Sequence, residues 1–161
     1  AVDEEMLGYT RRLIALRRAH PVFRRRRWFR VGVPVGAEPD APRDIEWCKP
    51  DGTRMQDDEW HTDGAAAIAV YLSGEHLVDR EGEPVEDDSF YLALNATAAD
   101  LPFRLPGTWL GGAWACVFDT AAAHPFDART GEACGAADEI VLAHHSMIVA
   151  RRFDAAQDGP A

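Results

Sequence analysis

Residues 44–60, DIEWCKPDGTRMQDDEW, combine a strand pattern, a turn and an acidic segment between two tryptophans. From Ile45 to Lys49, apolar and polar side chains alternate, as they do in a half-buried strand. Pro50-Asp51-Gly52 then predicts a turn, because proline presets the backbone angle φ and glycine tolerates positive φ. The stretch therefore predicts a strand that ends in a tight turn.

The two tryptophans of this stretch allow two interpretations. Sugars stack their apolar C–H faces on exposed aromatic rings, so Trp47 or Trp60 could hold a sugar beside the carboxylates of Asp57–Glu59. Tryptophan is also highly buried on average, and the same rings could fasten the loop to a core or to a neighbouring domain. We favour packing and keep Trp47 and Trp60 as candidate carbohydrate-binding residues.

Short segments with the same alternation recur along the chain, with Gly- and Pro-containing turns between them. The predicted strands are Trp28–Val33, Ile45–Lys49, Ala67–Leu72, Phe90–Asn95, Leu101–Leu105, Trp114–Phe118, Glu139–Leu142 and Met147–Arg152. About eight short strands of this kind predict a mainly β fold, an antiparallel Greek-key β-sandwich. Trp114 begins a strand whose alternation points inward, so we expect it in the core.

One helix is predicted before the strands, over residues 3–19. Its apolar stripe, Met6, Tyr9, Leu13 and Leu16, recurs at three- and four-residue steps. Pro21 disfavours helical geometry at the residue before it and so ends the helix. A single helix cannot bury such a stripe by itself, so this face needs a partner surface.

Charge is distributed unevenly along a chain whose formal net charge is −10. Residues 1–30 hold nine arginines and three acids, whereas residues 31–161 hold eight basic and 24 acidic side chains. The run Arg24–Arg27 could be a polyanion patch, but we favour a solvated turn with ion pairs to an acidic surface. We expect no nucleic-acid partner, and no apolar run approaches the roughly 20 residues that cross a membrane.

The remaining sequence features predict neither a cofactor nor a metal site. Cys48, Cys116 and Cys134 are widely spaced, and we expect free thiols in a cytoplasmic protein, with one disulfide as the alternative. His144-His145 would point to opposite faces of an extended segment and would chelate poorly. The chain opens on Ala-Val-Asp rather than Met, so we expect a piece of a longer protein.

No catalytic residue is predicted. Glycosidases need two carboxylates placed across one bond, one protonated and one ionised. The tandem acids Asp57–Glu59 and Glu86–Asp88 supply the residue types, but adjacent side chains diverge and nothing nearby would raise one pKa. Ser89 and Ser146 have no evident base.

Four segments resemble isoamylase-type glycogen debranching enzymes of the α-amylase superfamily. They are LIALRRAHPVFRR at 13–25, the opening stretch at 44–60, DDSFYLALNA at 87–96 and WACVFDT at 114–120. Their order and approximate spacing hold across most of the chain. The chain departs from the family at 95–100, where two histidines common in these enzymes are absent, and no residue matches the catalytic Asp, Glu and Asp of the barrel.

This resemblance implies two parts. Residues 1–30 would be the last helix of an absent (β/α)8 barrel with its exit segment, and residues 31–161 the C-terminal β-sandwich domain. The stripe Met6, Tyr9, Leu13 and Leu16 would then pack on the barrel, which would hydrolyse α-1,6 branch linkages in glycogen or limit dextrin. This chain alone would be inactive.

Two alternatives remain open. One is a module that binds α-glucan through Trp47 or Trp60. The other is a purely structural or oligomerising domain that self-associates through Leu13 and Leu16. The sequence leaves the oligomeric state unknown.

Overall fold

The computed structural model describes residues 3–29, 43–61, 66–107, 109–110, 112–127 and 133–153. One α-helix, two short 3-10 turns and ten strands lie in these ranges. They are α1 (Glu4–Ala19), the 3-10 turns Pro21–Arg24 and Glu59–His61, β1 (Ile45–Cys48), β2 (Ala67–Leu72), β3 (Leu77–Val78), β4 (Pro84–Val85), β5 (Phe90–Asn95), β6 (Leu101–Arg104), β7 (Ala113–Asp119), β8 (Ala133–Cys134), β9 (Glu139–Leu142) and β10 (Ser146–Phe153).

The main sheet has six strands in the order β1-β2-β5-β10-β7-β8, and every neighbouring pair is antiparallel. After β5 the chain leaves this sheet to form β6, and it leaves again after β8 to form β9, which pairs with β6 in a second sheet. The last strand, β10, returns between β5 and β7. Within the described residues, antiparallel β-sheets preceded by a single N-terminal helix confirm the predicted, mainly β fold class.

One face of the main sheet packs against the β6–β9 pair. Tyr71, Tyr91 and Trp114 from the main sheet and Phe103 and Leu142 from the pair are each at most 1% exposed and share one apolar cluster. The rings of Tyr91 and Trp114 lie 5.6 Å apart between centroids. Aromatic pairs at such distances add to the burial energy, and the core position predicted for Trp114 is confirmed.

The opposite face of the main sheet carries a second cluster, built on Phe90, Phe118 and Val149. Tyr9, Leu13 and Leu16 of α1 pack against this cluster, which also contains Val22 and Leu77 of the short β3–β4 ribbon. The ring of Tyr9 lies 5.8 Å from that of Phe118. The helix stripe that needed a partner surface therefore finds one in this chain.

This packing was not foreseen for α1, whose stripe was predicted to face a barrel. Three of its four residues contact the sheet cluster, whereas Met6 is 59% exposed. Ile14, outside the stripe, is 46% exposed. A barrel contact of the stripe stays a prediction, and Met6 and Ile14 are apolar side chains of α1 that remain accessible.

The ends of α1 follow from its sequence. The Asp3 carboxylate accepts a hydrogen bond from Met6 N at 3.0 Å, which caps the first turn. His20, before Pro21, has extended geometry and donates its N–H to Leu16 O at 3.1 Å, as expected before proline. Within the described residues, α1 does not have the length and apolar character needed to cross a membrane.

Polar contacts also join residues 3–29 to loops that flank the strands. Arg12 pairs with Asp127 at 2.8 Å, and Arg25 pairs with Asp44 at 2.7 Å. The predicted domain boundary near residue 30 lies outside the described residues, as does most of the predicted strand Trp28–Val33. Trp28 and Phe29 are described and are not in a strand.

Candidate functional site

The loop after β1 folds back along its own strand. Lys49 N donates to Thr53 O at 2.9 Å, and Met55 N donates to Trp47 O at 2.8 Å. The carboxylate of Asp51 accepts from the Thr53 hydroxyl at 2.6 Å and from its N–H at 2.9 Å. These bonds, the hydroxyl first, lower the pKa of Asp51. The turn predicted from Pro50-Asp51-Gly52 is present, and hydrogen bonds between residues of the loop itself stabilise it.

Gly52 fixes this loop against β6 and the segment that follows it. Its φ is +80°, and an added Cβ would lie 2.9 Å from Arg104 O and 3.1 Å from Leu105 O. Arg104 N donates to Pro50 O at 2.7 Å, and the indole N–H of Trp109 donates to Gly52 O at 3.4 Å. Only glycine combines this φ with such a close approach at low cost.

The acidic segment closes the loop through Glu59. Its carboxylate accepts from Lys49 Nζ at 2.7 Å and from Gln56 N at 2.7 Å. The lysine bond, followed by the backbone bond, lowers the pKa of Glu59. The bond to Gln56 N holds the start of the 3-10 turn that carries Trp60.

Trp47 and Trp60 meet at the surface beside this loop. Their ring centroids are 5.3 Å apart and their planes are 82° apart, so one ring meets the other edge-on. Trp47 lies on β1, the edge strand of the main sheet, and is 39% exposed, while Trp60 is 44% exposed. The favoured interpretation was packing of these rings on a core or on a neighbouring domain. The structure leaves a large part of each ring accessible, which excludes full burial in the core of this chain. Packing on a neighbouring domain stays a prediction.

A groove of about 780 Å³ runs beside the two rings. Its other lining residues are mostly polar or charged, and they include Arg43, Glu46, Arg54, Gln56, Asp57 and Asp58. Glu46 accepts from Arg43 N at 2.9 Å and pairs with Arg54 at 3.2 Å. The guanidinium of Arg54 also stacks 4.4 Å from the ring centre of Trp109. The groove therefore combines accessible aromatic surface with fixed charges and exposed hydrogen-bonding groups.

The carboxylates of this loop do not form an acid–base pair. Asp57 and Asp58 are exposed, whereas the Glu59 carboxylate accepts hydrogen bonds from Lys49 Nζ and Gln56 N. Among the described carboxyl groups with a shifted pKa, Asp51, Glu59, Asp100 and Asp127, every shift is downward. A general acid needs a raised pKa, so the arrangement favours binding over proton transfer.

A second polar cluster joins His20 to Asp87 and Asp88. His20 Nδ1 lies 2.8 Å from Asp87 Oδ1 and 3.8 Å from Asp88 Oδ2. Donor atoms of these three residues lie within 4.8 Å of one another, as in some metal sites. However, the Asp87 carboxylate already accepts from Val22 N at 2.9 Å and Asp88 N at 2.8 Å. We interpret the cluster as a hydrogen-bonded joint between the end of α1 and the main sheet.

Sequence reasoning missed this joint, although it placed both of its halves in family-like segments. His20 lies in the segment 13–25 and the aspartates lie in the segment 87–96. Their partnership spans 67 residues and becomes visible only when α1 lies on the sheet.

The paired histidines occupy the turn between β9 and β10. His144 Nδ1 lies 3.1 Å from Asp100 Oδ1, and both side chains are exposed. His145 takes a left-handed φ of 49°, so the pair is not in the extended segment that was expected. We assign no metal to this pair.

No disulfide joins Cys48, Cys116 and Cys134, all of which lie in the described part of the chain. Cys48 is fully buried, and burial raises the pKa of its thiol to about 12. Cys116 and Cys134 are partly exposed. The cysteines are thus thiols, as predicted, and Cys48 serves as a core side chain.

Antiparallel β-sheets with a helix on one face of the main sheet define the class of this chain, a mainly β domain. Residues 44–152 match the family described as Isoamylase, C-terminal. That match covers more than half of the chain, and the chain belongs to this family. The resemblance seen in the sequence is confirmed.

Individual relatives agree with this assignment. The chain is 38% identical over 120 residues to the "Glycogen operon protein GlgX homolog" of Mycobacterium tuberculosis (strain ATCC 25618 / H37Rv), covering 73% of this chain and 16% of that protein. It is 31% identical over 121 residues to "Isoamylase" of Flavobacterium sp, and the match covers 75% of this chain and 14% of that protein. It is 30% identical over 112 residues to "Isoamylase" of Pseudomonas amyloderamosa, and the match covers 70% of this chain and 12% of that protein. The chain thus spans less than a fifth of the length of these curated relatives.

Proposed function

We propose that this chain is the non-catalytic C-terminal β domain of an isoamylase-type glycogen debranching enzyme. A catalytic (β/α)8 barrel in the same polypeptide would hydrolyse α-1,6-glucosidic branch linkages in glycogen or limit dextrin. Support comes from the family and from relatives named as isoamylase and as a glycogen operon protein. Cysteine thiols that form no disulfide in the described part of the chain fit a cytoplasmic enzyme.

The observation that carries this proposal is that α1 keeps apolar side chains exposed after it has packed on the sheet. One side, Tyr9, Leu13 and Leu16, packs on the sheet cluster. A second, adjacent side is that of Ile14, about 100° around the helix from Leu13. Ile14 is largely exposed, and so is Met6, which lies near the first side but at the start of the helix. Apolar side chains left accessible beside a packed face are suited to contact a further layer.

The barrel is the occupant we propose for the second side of α1. Of the stripe that was predicted to face the barrel, Met6 would contact the barrel, together with Ile14 from outside the stripe. Tyr9, Leu13 and Leu16 would instead hold the helix on the sheet. The β-sandwich would then position α1, and α1 would complete the outer layer of the barrel.

Self-association through Leu13 and Leu16 is the weaker candidate. Both side chains are partly buried and already contact the sheet cluster. A dimer that used them would have to lift α1 from the sheet and break the Arg12–Asp127 pair. No observation favours that rearrangement.

A chimaera tests the proposed position of α1. In it this chain, α1 included, replaces the C-terminal end of the Mycobacterium tuberculosis relative. Ile14→Asp should destabilise the chimaera by about 3 kcal/mol, because a charge would be buried without a partner at the contact. The same change in the isolated chain should alter stability by less than about 0.5 kcal/mol, because Ile14 is exposed there.

Ala15→Asp is the matched control, since Ala15 is also exposed but lies on neither apolar side of the helix. It should leave the stability of the chimaera unchanged. Urea unfolding of the variants measures both effects. Equal destabilisation by Ile14→Asp in the chimaera and in the isolated chain would reject the proposed contact.

A further inference from the structure

We propose that the groove beside Trp47 and Trp60 binds an α-1,4-linked glucan chain. The choice of glucan rests on the proposed function, because that function supplies a branched α-glucan as the substrate.

The two exposed rings are the first reason. Trp47 and Trp60 remain 39% and 44% exposed, although tryptophan is highly buried on average. The two rings contact each other and so form one shared apolar surface, unlike the scattered single apolar residues that are ordinary on a protein surface. The faces of the rings are electron-rich, and the C–H faces of a pyranose can stack on them.

The angle between the rings favours one class of glucan. With planes 82° apart and centroids 5.3 Å apart, the rings form a corner rather than a flat platform. Successive glucose units of an α-1,4-linked chain turn relative to one another, so the chain curves. A β-1,4-linked chain is a flat ribbon and would contact only one of the two rings.

The polar lining favours a sugar over a protein segment. The groove is lined by Gln56, Asp57 and Asp58 together with the Glu46–Arg54 pair. Charged residues are depleted in the buried centre of protein interfaces. Carboxylate and amide groups at a water-accessible rim can instead accept and donate hydrogen bonds to sugar hydroxyls.

The loop is also held in place before any ligand arrives. Gly52 lies close against the backbone of Arg104 and Leu105, at the end of β6. The Glu59 carboxylate accepts hydrogen bonds from both Lys49 and Gln56. The backbone bond from Met55 N to Trp47 O ties the two walls of the groove together. A preorganised site avoids much of the entropy lost when a loop orders on binding.

A titration of the isolated 161-residue chain tests this inference. Two-dimensional NMR follows the indole N–H signals while maltoheptaose is added. The signals of Trp47 and Trp60 should shift in a saturable manner with one shared dissociation constant. The signal of Trp28, an indole 94% exposed and outside the groove, should not move. Cellohexaose, the β-1,4-linked control, should leave all three signals in place.

Variants give a second readout. Trp60→Ala should weaken maltoheptaose binding by at least about tenfold, a loss of about 1.4 kcal/mol of binding free energy. Trp28→Ala should leave the affinity unchanged. If Trp60→Ala disturbs the fold, the shifts in the unaltered chain still decide the result.

Three results would overturn the inference: no saturable shift, equal shifts with cellohexaose, or equal weakening by Trp28→Ala. A groove that instead docks on the catalytic part would give no shift with maltoheptaose, and Trp60→Ala would destabilise the chimaera.

Absence of glucan binding in an active chimaera would reject this inference alone. Failure of the chimaera to debranch glycogen would count against the proposed function, whatever the titration shows.

Discussion

His20 Nδ1 lies 2.8 Å from Asp87 Oδ1, which joins the residue that ends α1 to the segment that leads into β5. The His20 ring also packs edge-on against Phe90, with ring centroids 4.7 Å apart. One polar bond and one aromatic contact therefore fix the exit of the helix against the centre of the main sheet. This joint sets which side of α1 faces the sheet and which side stays accessible.

Asp87→Ala should lower the free energy of unfolding by about 2–3 kcal/mol. The change removes the acceptor for Val22 N, whose residue is only 2% exposed, and for Asp88 N and His20. A buried N–H left without a partner accounts for most of this loss. Urea unfolding followed by circular dichroism measures it.

Asp79→Ala is the matched control, because the Asp79 carboxylate also accepts two backbone N–H bonds, from Glu81 and Glu83, but in an exposed turn. Water can replace that acceptor, so the loss should stay below about 1 kcal/mol. Comparable losses for the two variants would show that the joint adds nothing beyond ordinary turn bonds.

Arg25→Ala should lower the free energy of unfolding by about 3–5 kcal/mol, because it breaks a buried ion pair and leaves the partner charge in a desolvated site. The Arg25 and Asp44 side chains are each 9% exposed, with 2.7 Å between Nη2 and Oδ2. Arg25 Nη1 also donates to Ser73 O at 3.0 Å. Arg24 is an exposed neighbour in the same arginine run, so Arg24→Ala should change the free energy of unfolding by no more than about 0.5 kcal/mol. Urea unfolding of both variants measures the difference, and equal losses would contradict a stabilising Arg25–Asp44 ion pair.

Gly52→Ala should destabilise the chain more than Gly82→Ala does. Both glycines have positive φ, +80° and +90°, so each alanine incurs a left-handed strain of about 1–2 kcal/mol. At Gly52 the new Cβ would also meet backbone oxygen at 2.9 Å, whereas at Gly82 it would meet nothing within 4 Å. The difference between the two unfolding free energies isolates the close approach of the loop to β6. A difference near zero would mean that the loop relaxes freely.

Cys48 should resist thiol reagents in the folded chain. Its thiol is buried, and the raised pKa of about 12 keeps it protonated at pH 8, where the thiolate is the reactive form. Cys116 and Cys134 are partly exposed and should react first. Counting modified thiols by mass spectrometry should give two at early times and three in denaturant. Early modification of Cys48 would contradict its place in the core.

The elements that sequence predicted well are those with enough residues to display a period. Phe90–Asn95 was predicted with its observed bounds, and the predicted helix matches α1 to within one residue at its start. The ribbon strands β3 and β4 and the edge strand β8 are two residues long, too short for alternation to be recognised. Their pairing depends on the tertiary arrangement instead.

The candidate site was predictable in its chemistry but not in its exposure. Pro50-Asp51-Gly52 predicted the turn, and the two tryptophans were singled out from the sequence. Packing on a core or on a neighbouring domain was favoured for them because tryptophan is highly buried on average, and the sequence alone does not show that β1 is an edge strand. Likewise, the stripe of α1 predicted a packed face but not its partner, since periodicity identifies an apolar side without naming what covers it.

The release of new reducing ends from glycogen most directly tests the claim that this chain is a non-catalytic domain of a debranching enzyme. The assay compares the purified chain with the chimaera in which this chain replaces the C-terminal end of the Mycobacterium tuberculosis relative. We expect no release by the chain alone and steady release by the chimaera. Turnover by the chain alone, or an inactive chimaera that is stably folded, would contradict the account.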